Sequence, residues 1–330
     1  MNFDQFRAQF SDETVCREYL ESQIWKNGRK CPNCGSRKSW HLTGTTCRPG
    51  LYECGRCKRQ FTVTTGTPLH ATKLPLCKWL NAMYFITNSS KGIASVFLGR
   101  WLGVSQRTAW KMGHAIRELM APGQIGQQLL SGTVEMDDKF IGGKPRYQEG
   151  VVHKRGKGTD KAQIIAAIER DGAVVSTPIV SDKTSEINPV INQWVDRQSH
   201  LMTDKSRSYI SVGNSFNDHS YVNHSAHEYS RDDVHNNTTE SFFSMLERAR
   251  LGVFHSMSER HLHRYLNEAA FRWTHREPIK TKSNGNKRKT RWQPLPIFTI
   301  LEKLLANAVG CRLKRLKNSG LEKVPMTQWA

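Results

Sequence analysis

Four cysteines stand in two matched pairs, Cys31-Pro32-Asn33-Cys34 and Cys54-Gly55-Arg56-Cys57, with nineteen residues between them. Two CxxC knuckles at this separation let four thiolates close a tetrahedron about one zinc ion. No coordination position stays open, so the metal expected here is structural. A redox dithiol is the rival reading, and two matched pairs argue against it. Three acids form a second constellation: Asp137, Asp204 and Glu240. Three carboxylates can bind two divalent cations that activate a water or a hydroxyl and stabilise the leaving oxygen of a phosphodiester. Hard oxygen donors favour magnesium or manganese there over zinc. Taken alone, Glu240 has a plainer explanation as a solvent-facing helix residue.

The acids acquire meaning from the elements that carry them. Thr133 to Gly143 (TVEMDDKFIGG) reads as one strand, with Val134, Met136 and Phe140 on one face and Glu135 and Asp137 on the other. With the apolar set in a core, Asp137 is expected beside a cleft and Asp138 nearer the core. Gln163–Ile168 and Ala173–Val180 flank an Asp171-Gly172 turn, which predicts an antiparallel hairpin. A helix follows, with Thr184 or Ser185 as its cap, Pro189 in its first turn and Ile187, Val190, Ile191, Trp194 and Val195 as its buried stripe. His200–Asp204 reads as a strand whose end delivers Asp204. From Asn236 a helix sets Asn237, Glu240, Ser244 and Glu247 on one face and Phe242, Met245, Leu246 and Ala249 on the other. Strand, hairpin, helix and strand with acids at the strand ends is the order of a ribonuclease-H-like fold. Residues 142–161 predict a basic loop beside the cleft. The histidines at 219, 224, 227 and 235 lack metal-pair spacing on a helix, so no second zinc site is read from them.

Upstream, Ser11 and Asp12 offer caps to a helix over 11–26 with Cys16 on its apolar face. Trp40–Leu42, Leu51–Glu53 and Gln60–Val63 read as strands of a ribbon around the cysteines. Arg29, Lys30, Arg37, Lys38, Arg48, Arg56, Lys58 and Arg59 surround that ribbon against the single acid Glu53, a balance suited to a phosphate backbone. Residues 75–120 read as helices. A short apolar segment (Gly92–Leu98), a turn near Gly99–Gly103 and a second helix opening at Ser105 look like a helix-turn-helix. In that reading Gln106, Arg107 and Lys111 face DNA while Ala109, Trp110 and Ile116 pack inward; plain helical packing is the alternative.

The whole chain of 330 residues carries a formal charge of +20, which points to a polyanionic partner, most simply nucleic acid. No apolar run approaches the ~18 residues a membrane span needs, and the N-terminus lacks a signal-peptide core. A cytoplasmic protein is expected, nucleoid-associated when on DNA. Reduced thiols there favour metal ligation over disulfides for the eight cysteines.

Together CPNC…CGRC, SKGIASVFLGRWLGVSQRTAW, VEMDDKFIGGK, MTDKSRSY and HNNTTESFFSMLERARLGVFHSMSERHLHRYLNEAAFRW resemble a bacterial insertion-sequence transposase of the DDE superfamily, of the IS1595 type with an N-terminal zinc ribbon and an ISXO2-like transposase domain. The resemblance implies an α/β multidomain chain: a zinc ribbon and helix-turn-helix, then a ribonuclease-H-like mixed-sheet catalytic domain that cuts transposon ends and joins them to target DNA. The expected domains are 1–65, 66–122, 132–276 and a basic C-terminal tail over 277–330. By motif, Asp137 and Asp204 take the first two magnesium- or manganese-binding positions and Glu240 the third, with Asn237 as its competitor. Where the family typically has Lys two turns after the third acid, this chain has Glu247, followed by Arg248, a DNA-contact candidate. His255, His261, His263 and Arg264 lie along the next helix and are placed towards DNA. In the tail, Lys287, Arg288 and Lys289 are expected to clamp phosphates, and Ile297–Leu305 to form one more amphipathic helix. Joining two ends calls for a homo-oligomer on DNA. The rivals are a non-catalytic zinc-ribbon regulator or a decayed transposase, and a nuclease without strand transfer.

Overall fold

The computed structural model describes residues 1–121, 129–143, 149–150, 152, 159, 161–223, 226, 228, 230–282, 288–306, 308–316 and 320–325. The chain divides into two compact units: Met1–Ala121 together with Glu277–Ala330, and Pro122–Arg276.

The first unit opens with helices α1 (Phe3–Gln9) and α2 (Glu13–Ile24). Asp12 caps α2 by accepting from the Thr14 and Val15 N–H groups, and Cys16 and Leu20 turn its apolar face inward. Strands β1 (Ser39–His41), β2 (Tyr52–Cys54) and β3 (Gln60–Phe61) make a three-stranded antiparallel ribbon. Helices α3 (Leu76–Asn88), α4 (Ser95–Leu102) and α5 (Gln106–Leu119) then pack on one another. The turn between α4 and α5 depends on glycine twice. Gly103 closes α4 in the left-handed region at φ +61°, and a Cβ on Gly99 would lie 2.9 Å from the Val104 carbonyl oxygen. Ser105 caps α5 through the Thr108 N–H.

In the second unit, β4 (Thr133–Ile141), β5 (Ala162–Glu169), β6 (Val174–Ile179), β7 (His200–Asp204) and β8 (Asp218–Val222) form one sheet in the order β6-β5-β4-β7-β8. The β4–β5–β6 meander is antiparallel and β7 and β8 run parallel to β4, which makes the sheet mixed. The expected hairpin turns at Asp171, with φ +56°. Helices α6 (Thr184–Trp194) and α7 (Arg207–Gly213) belong to one face, where Val134, Met136, Ile165, Ile187, Ile191, Leu201, Tyr209 and Val212 share a core. The short pair β9 (Ser230–Arg231) and β10 (Val234–His235) precedes α8 (Asn237–Ala249), a π-helical turn over Arg250–Phe254 and α9 (Glu259–Thr274). These last helices cover the opposite face, with Ile164, Ala166, Ile168, Phe242, Leu246, Leu262, Leu266 and Trp273 in a second core.

That second core revises the reading of β4, whose apolar face alone was expected in a core. Glu135, on the other face, is fully buried, while Asp137, expected beside a cleft, is half-buried. Three smaller readings change as well. The residue before α6 is Lys183, without a side-chain capping bond, and Pro189 lies inside the helix. His261 and Arg264 turn inward from α9 and contact each other at 2.6 Å, so they do not face DNA.

Residues 277–330, expected as a basic tail, are folded where described. β11 (Arg276–Lys282) pairs with β12 (Arg288–Pro294), α10 (Ile297–Leu305) packs on α2 and α3, and β13 (Cys311–Arg315) pairs antiparallel with β14 (Leu321–Pro325). Phe298 sits among the rings of Phe6, Phe10 and Tyr19, and Leu301 is fully buried. Among the described residues no helix is long and apolar enough to cross a membrane. Leu301→Ala is expected to destabilise this unit by about 2–5 kcal/mol, the usual cost of a Leu-sized core cavity. Hydrogen exchange would report it as lost protection in α2, α3 and α10 with the five-stranded sheet unaffected.

Candidate metal centres and nucleic-acid surface

The four cysteines converge. Cys31, Cys34, Cys54 and Cys57 bring their sulfurs within 4.8 Å of one another, with Cys31–Cys57 at 3.7 Å and Cys34–Cys54 at 3.5 Å. A zinc tetrahedron with ~2.3 Å bonds has edges of roughly 3.8 Å, so the cluster fits that ion. The N–H groups of Cys57 and Arg56 point at Cys54 Sγ and pull its thiol down to about 6. Burial pushes Cys31 up to about 12, a cost that a bound cation removes by holding the sulfur as thiolate. Trp25, Tyr52 and Phe61 pack beside the sulfurs, and the Arg29 guanidinium lies 3.9 Å over the Tyr52 ring. On the ribbon surface, Lys38 and Lys58 flank the half-exposed Trp40 ring at 5.7 and 5.0 Å.

The three acids come from three elements of the second unit. Parallel pairing of β4 with β7 sets Glu135 opposite Met202, and continuing that register brings Asp137 level with Asp204 on adjacent strands. Glu240 lies in the first turn of α8, exposed, on the same side of the sheet. The Asp137 carboxyl registers their charges. Its ordinary value of 3.8 rises to about 8, first through burial, then through the negative charges of Asp138, Asp204 and Glu240, against one bond donated by the Asp138 N–H. Their oxygens are not drawn within the 4.8 Å that the cysteines reach. An all-oxygen set that repels itself suits a hard divalent cation. Asp138 is otherwise engaged on the opposite face, accepting from Tyr209 Oη at 2.7 Å and Gln163 Nε2 at 2.6 Å. Asn237, the competing third position, is the exposed first residue of α8.

Sequence reasoning missed Glu135. It accepts from the Thr238 N–H and Thr238 Oγ1, both at 2.8 Å, and from Arg170 Nε at 2.8 Å, with His235 Nδ1 at 3.3 Å. The signal was available, since Glu135 shares a strand face with Asp137; nothing local, however, named Thr238 as its partner.

The expected DNA contacts differ in exposure. Gln106 and Arg107 are exposed at the start of α5, although the Gln106 amide donates to Ser95 Oγ across the turn at 2.9 Å; Lys111 is half-buried. Ala109 and Ile116 pack inward as expected, and Trp110 stays half-buried. Arg248 is exposed and reaches Ser244 Oγ at 3.3 Å, while Glu247 pairs with Arg250 at 2.8 Å. Arg288 and Lys289 lie on β12, and Lys287 falls outside the described residues, as do His224, His227 and most of the basic loop.

Comparison with known proteins adds family relationships to this geometry. Residues 129–274 match the ISXO2-like transposase domain, and residues 11–60 match the transposase zinc-ribbon domain. The chain is 28% identical over 291 residues to an uncharacterised protein in transposable element ISH50 of Halobacterium salinarum, covering 82% of this chain and 96% of that protein. Among solved structures, a simian T-cell lymphotropic virus intasome in complex with a PP2A regulatory subunit aligns over 75% of this chain and 95% of that one, at 12% identity and a TM-score of 0.28. A Mos1 mariner paired-end complex with manganese aligns over 56% and 73%, at 13% identity and a TM-score of 0.21. With a four-cysteine ribbon inside the match over residues 11–60 and a mixed five-stranded sheet inside the match over residues 129–274, the chain belongs to the DNA transposases that join a transposase zinc ribbon to an ISXO2-like transposase domain.

Proposed function

We propose that this transposase cuts the phosphodiester bonds at the ends of its element and joins those ends to target DNA, using Asp137, Asp204 and Glu240 to hold magnesium or manganese. The observation that carries the reading is the Asp137 carboxyl, half-buried and pushed up to about 8 within the field of three further acids. A fold tolerates such a concentration of like charge where a cation is to neutralise it. When bound, divalent ions would activate the attacking oxygen and stabilise the departing one. The protein's own part is to present the acids from two adjacent strands and a helix, so that they need not be gathered from solution. Glu240 is preferred to Asn237 because its charge is felt at Asp137. The zinc ribbon and α4–α5 are assigned to recognition of the transposon ends. Gln106, Arg107 and Lys111 on α5, Arg248 on α8 and Lys287, Arg288 and Lys289 are assigned to DNA. The protein acts in the cytoplasm, as a homo-oligomer that holds two ends together.

The direct test is strand transfer in vitro with magnesium or manganese, using donor DNA that carries the element's ends. Asp204→Ala is expected to lose joined product by about a thousandfold or more while still retaining end DNA, since several kcal/mol of metal-borne stabilisation vanish. Full activity in that variant would rule the site out; cut ends that never join would instead identify a nuclease.

Two further outcomes follow from the electrostatics. The Asp137 carboxyl titrates near 8 in the fold and near 3.8 when exposed, so the folded state holds the extra proton. Without magnesium or manganese, stability is expected to fall as pH rises from about 4 to about 8. Asp137→Asn should flatten that slope and raise the melting temperature at pH 8, while abolishing the upward shift that manganese produces in the wild type. Zinc is expected to hold the ribbon together. Its removal by a chelator, or Cys54→Ser, should unfold residues 29–65 and weaken end binding, read by hydrogen exchange and gel shift. Unchanged binding by zinc-free protein would separate the ribbon from recognition.

A further inference from the structure

Helix α8 begins without a cap of its own. The residue before it, Asn236, makes no side-chain bond to the free N–H groups of the first turn. A residue from a distant strand makes it instead. Glu135 Oε2 accepts from the N–H of Thr238 at 2.8 Å and of Thr239 at 3.4 Å, and Oε1 accepts from Thr238 Oγ1 at 2.8 Å. A carboxylate at this end of a helix gains from both the unsatisfied donors and the aligned peptide dipoles.

The carboxylate is also locked from its other side. Arg170 Nε donates to Oε1 at 2.8 Å, and Arg170 Nη2 donates to the Asp233 carbonyl at 2.6 Å. The same Nη2 contacts Met202 Sδ on β7 at 3.2 Å and the His235 ring at 3.2 Å. Glu135 itself has no solvent exposure. One ion pair, buried at its Glu135 end, therefore ties together β4, the β5–β6 turn, β7, β10 and the first turn of α8.

We propose that Glu135 is a positioning residue that sets Glu240 against Asp137. The inference rests on the three-acid reading above. Glu135 stands two residues before Asp137 on the same strand face, and Thr238 stands two residues before Glu240 in the same helical turn. The Glu135–Thr238 bonds thus fix the strand that bears one acid to the helix that bears the other. Arg170 absorbs the negative charge of Glu135, which keeps this carboxylate out of the metal-binding set. Packing alone would be met by an apolar side chain, since buried ion pairs are often neutral or costly for stability. Hydrogen bonds to a helix terminus add what apolar packing lacks, a defined height and rotation of the first turn.

The test uses full-length, zinc-loaded protein carrying Glu135→Gln, Glu240→Ala, or both. Binding of manganese is measured by calorimetry, and retention of transposon-end DNA in calcium by gel shift. Loss of a group that orients a metal ligand typically weakens metal affinity by about 10- to 100-fold. Glu135→Gln is expected to weaken manganese by about 10-fold with end binding unchanged, and to recover part of its strand transfer at raised manganese. In the Glu240→Ala background, adding Glu135→Gln should weaken manganese no further. Equal weakening in both backgrounds would make Glu135 a merely structural residue, and unchanged manganese affinity in Glu135→Gln would overturn the proposal directly. If Glu240→Ala itself leaves manganese binding intact, the three-acid reading falls and this proposal with it. Should Glu135→Gln fail to fold, Thr238→Val carries the same comparison. It removes only the hydroxyl contact and is expected to weaken manganese by about threefold, and an unaltered affinity would count against the clamp.

Discussion

Two acids that share one face of β4 under a covering helix set the terms for the sheet unit. Burying a carboxylate costs several kcal/mol unless charge and hydrogen bonds compensate it. Glu135 receives both, from Arg170 and from the first-turn N–H groups of α8. Asp137 receives one backbone bond and three neighbouring negative charges. Adjacent positions on the same face thus have opposite fates, one acid fully neutralised by the protein and one left to hold a proton or a cation. Burial alone does not set the asymmetry, since the fully buried Glu135 is the one that the protein compensates and Asp137 is only half-buried. The asymmetry comes from where the helix terminus and the Arg170 side chain lie.

Most of the sheet was legible because its strands are short and bounded by strong punctuation. His200–Asp204 begins and ends as read, and Asp171-Gly172 turns the hairpin. Alternation within β4 was also legible, but its meaning was not. A period of two reveals two faces without saying what covers each. The face that bears Glu135 and Asp137 gave no sign of a second core because Phe242, Phe243 and Leu246, which belong to it, lie about a hundred positions downstream on α8. The Glu135–Thr238 contact is long-range in the same way, and no local spacing encodes it. The same limit hid the inward turn of His261 and Arg264, whose polarity suggested an outer face although each satisfies the other.

The N-terminal unit teaches a related lesson about composition. Twelve Lys or Arg against three acids after residue 276 marked the segment as a basic tail. Charge density describes the surface of a segment, whereas Ile297, Ile300, Leu301, Leu304 and Leu305 describe its buried stripe. The stripe was readable as a helix, but its partners α2 and α3 lie at the far end of the chain. Glu13 adds a parallel to Glu135, since its carboxylate accepts from the Leu76 N–H at 2.8 Å at the start of α3, a helix that follows Pro75 and lacks a side-chain cap. Both units therefore anchor an uncapped helix with a distant glutamate. Only in the sheet unit does the anchored turn also carry an acid facing the candidate site, and that separates a structural device from one with a bearing on chemistry.

Glu247 is an acid where the resemblance read from the sequence led one to expect a lysine, which would attract phosphate. The side chain does not stand as a bare negative charge. Arg250 meets it twice, through Nε at 3.0 Å and Nη2 at 2.8 Å, at the junction where α8 widens into the π-helical turn. The pair is close to neutral, so the repulsion a phosphate would feel there is small at distances beyond a few ångströms. One residue on, Arg248 projects an exposed guanidinium held lightly by Ser244. Successive helical residues point ~100° apart, so the positive charge on α8 is displaced around the helix rather than removed. If α8 approaches DNA, its phosphate contact belongs to the Arg248 side of the helix, and Glu247 serves to hold the turn that follows.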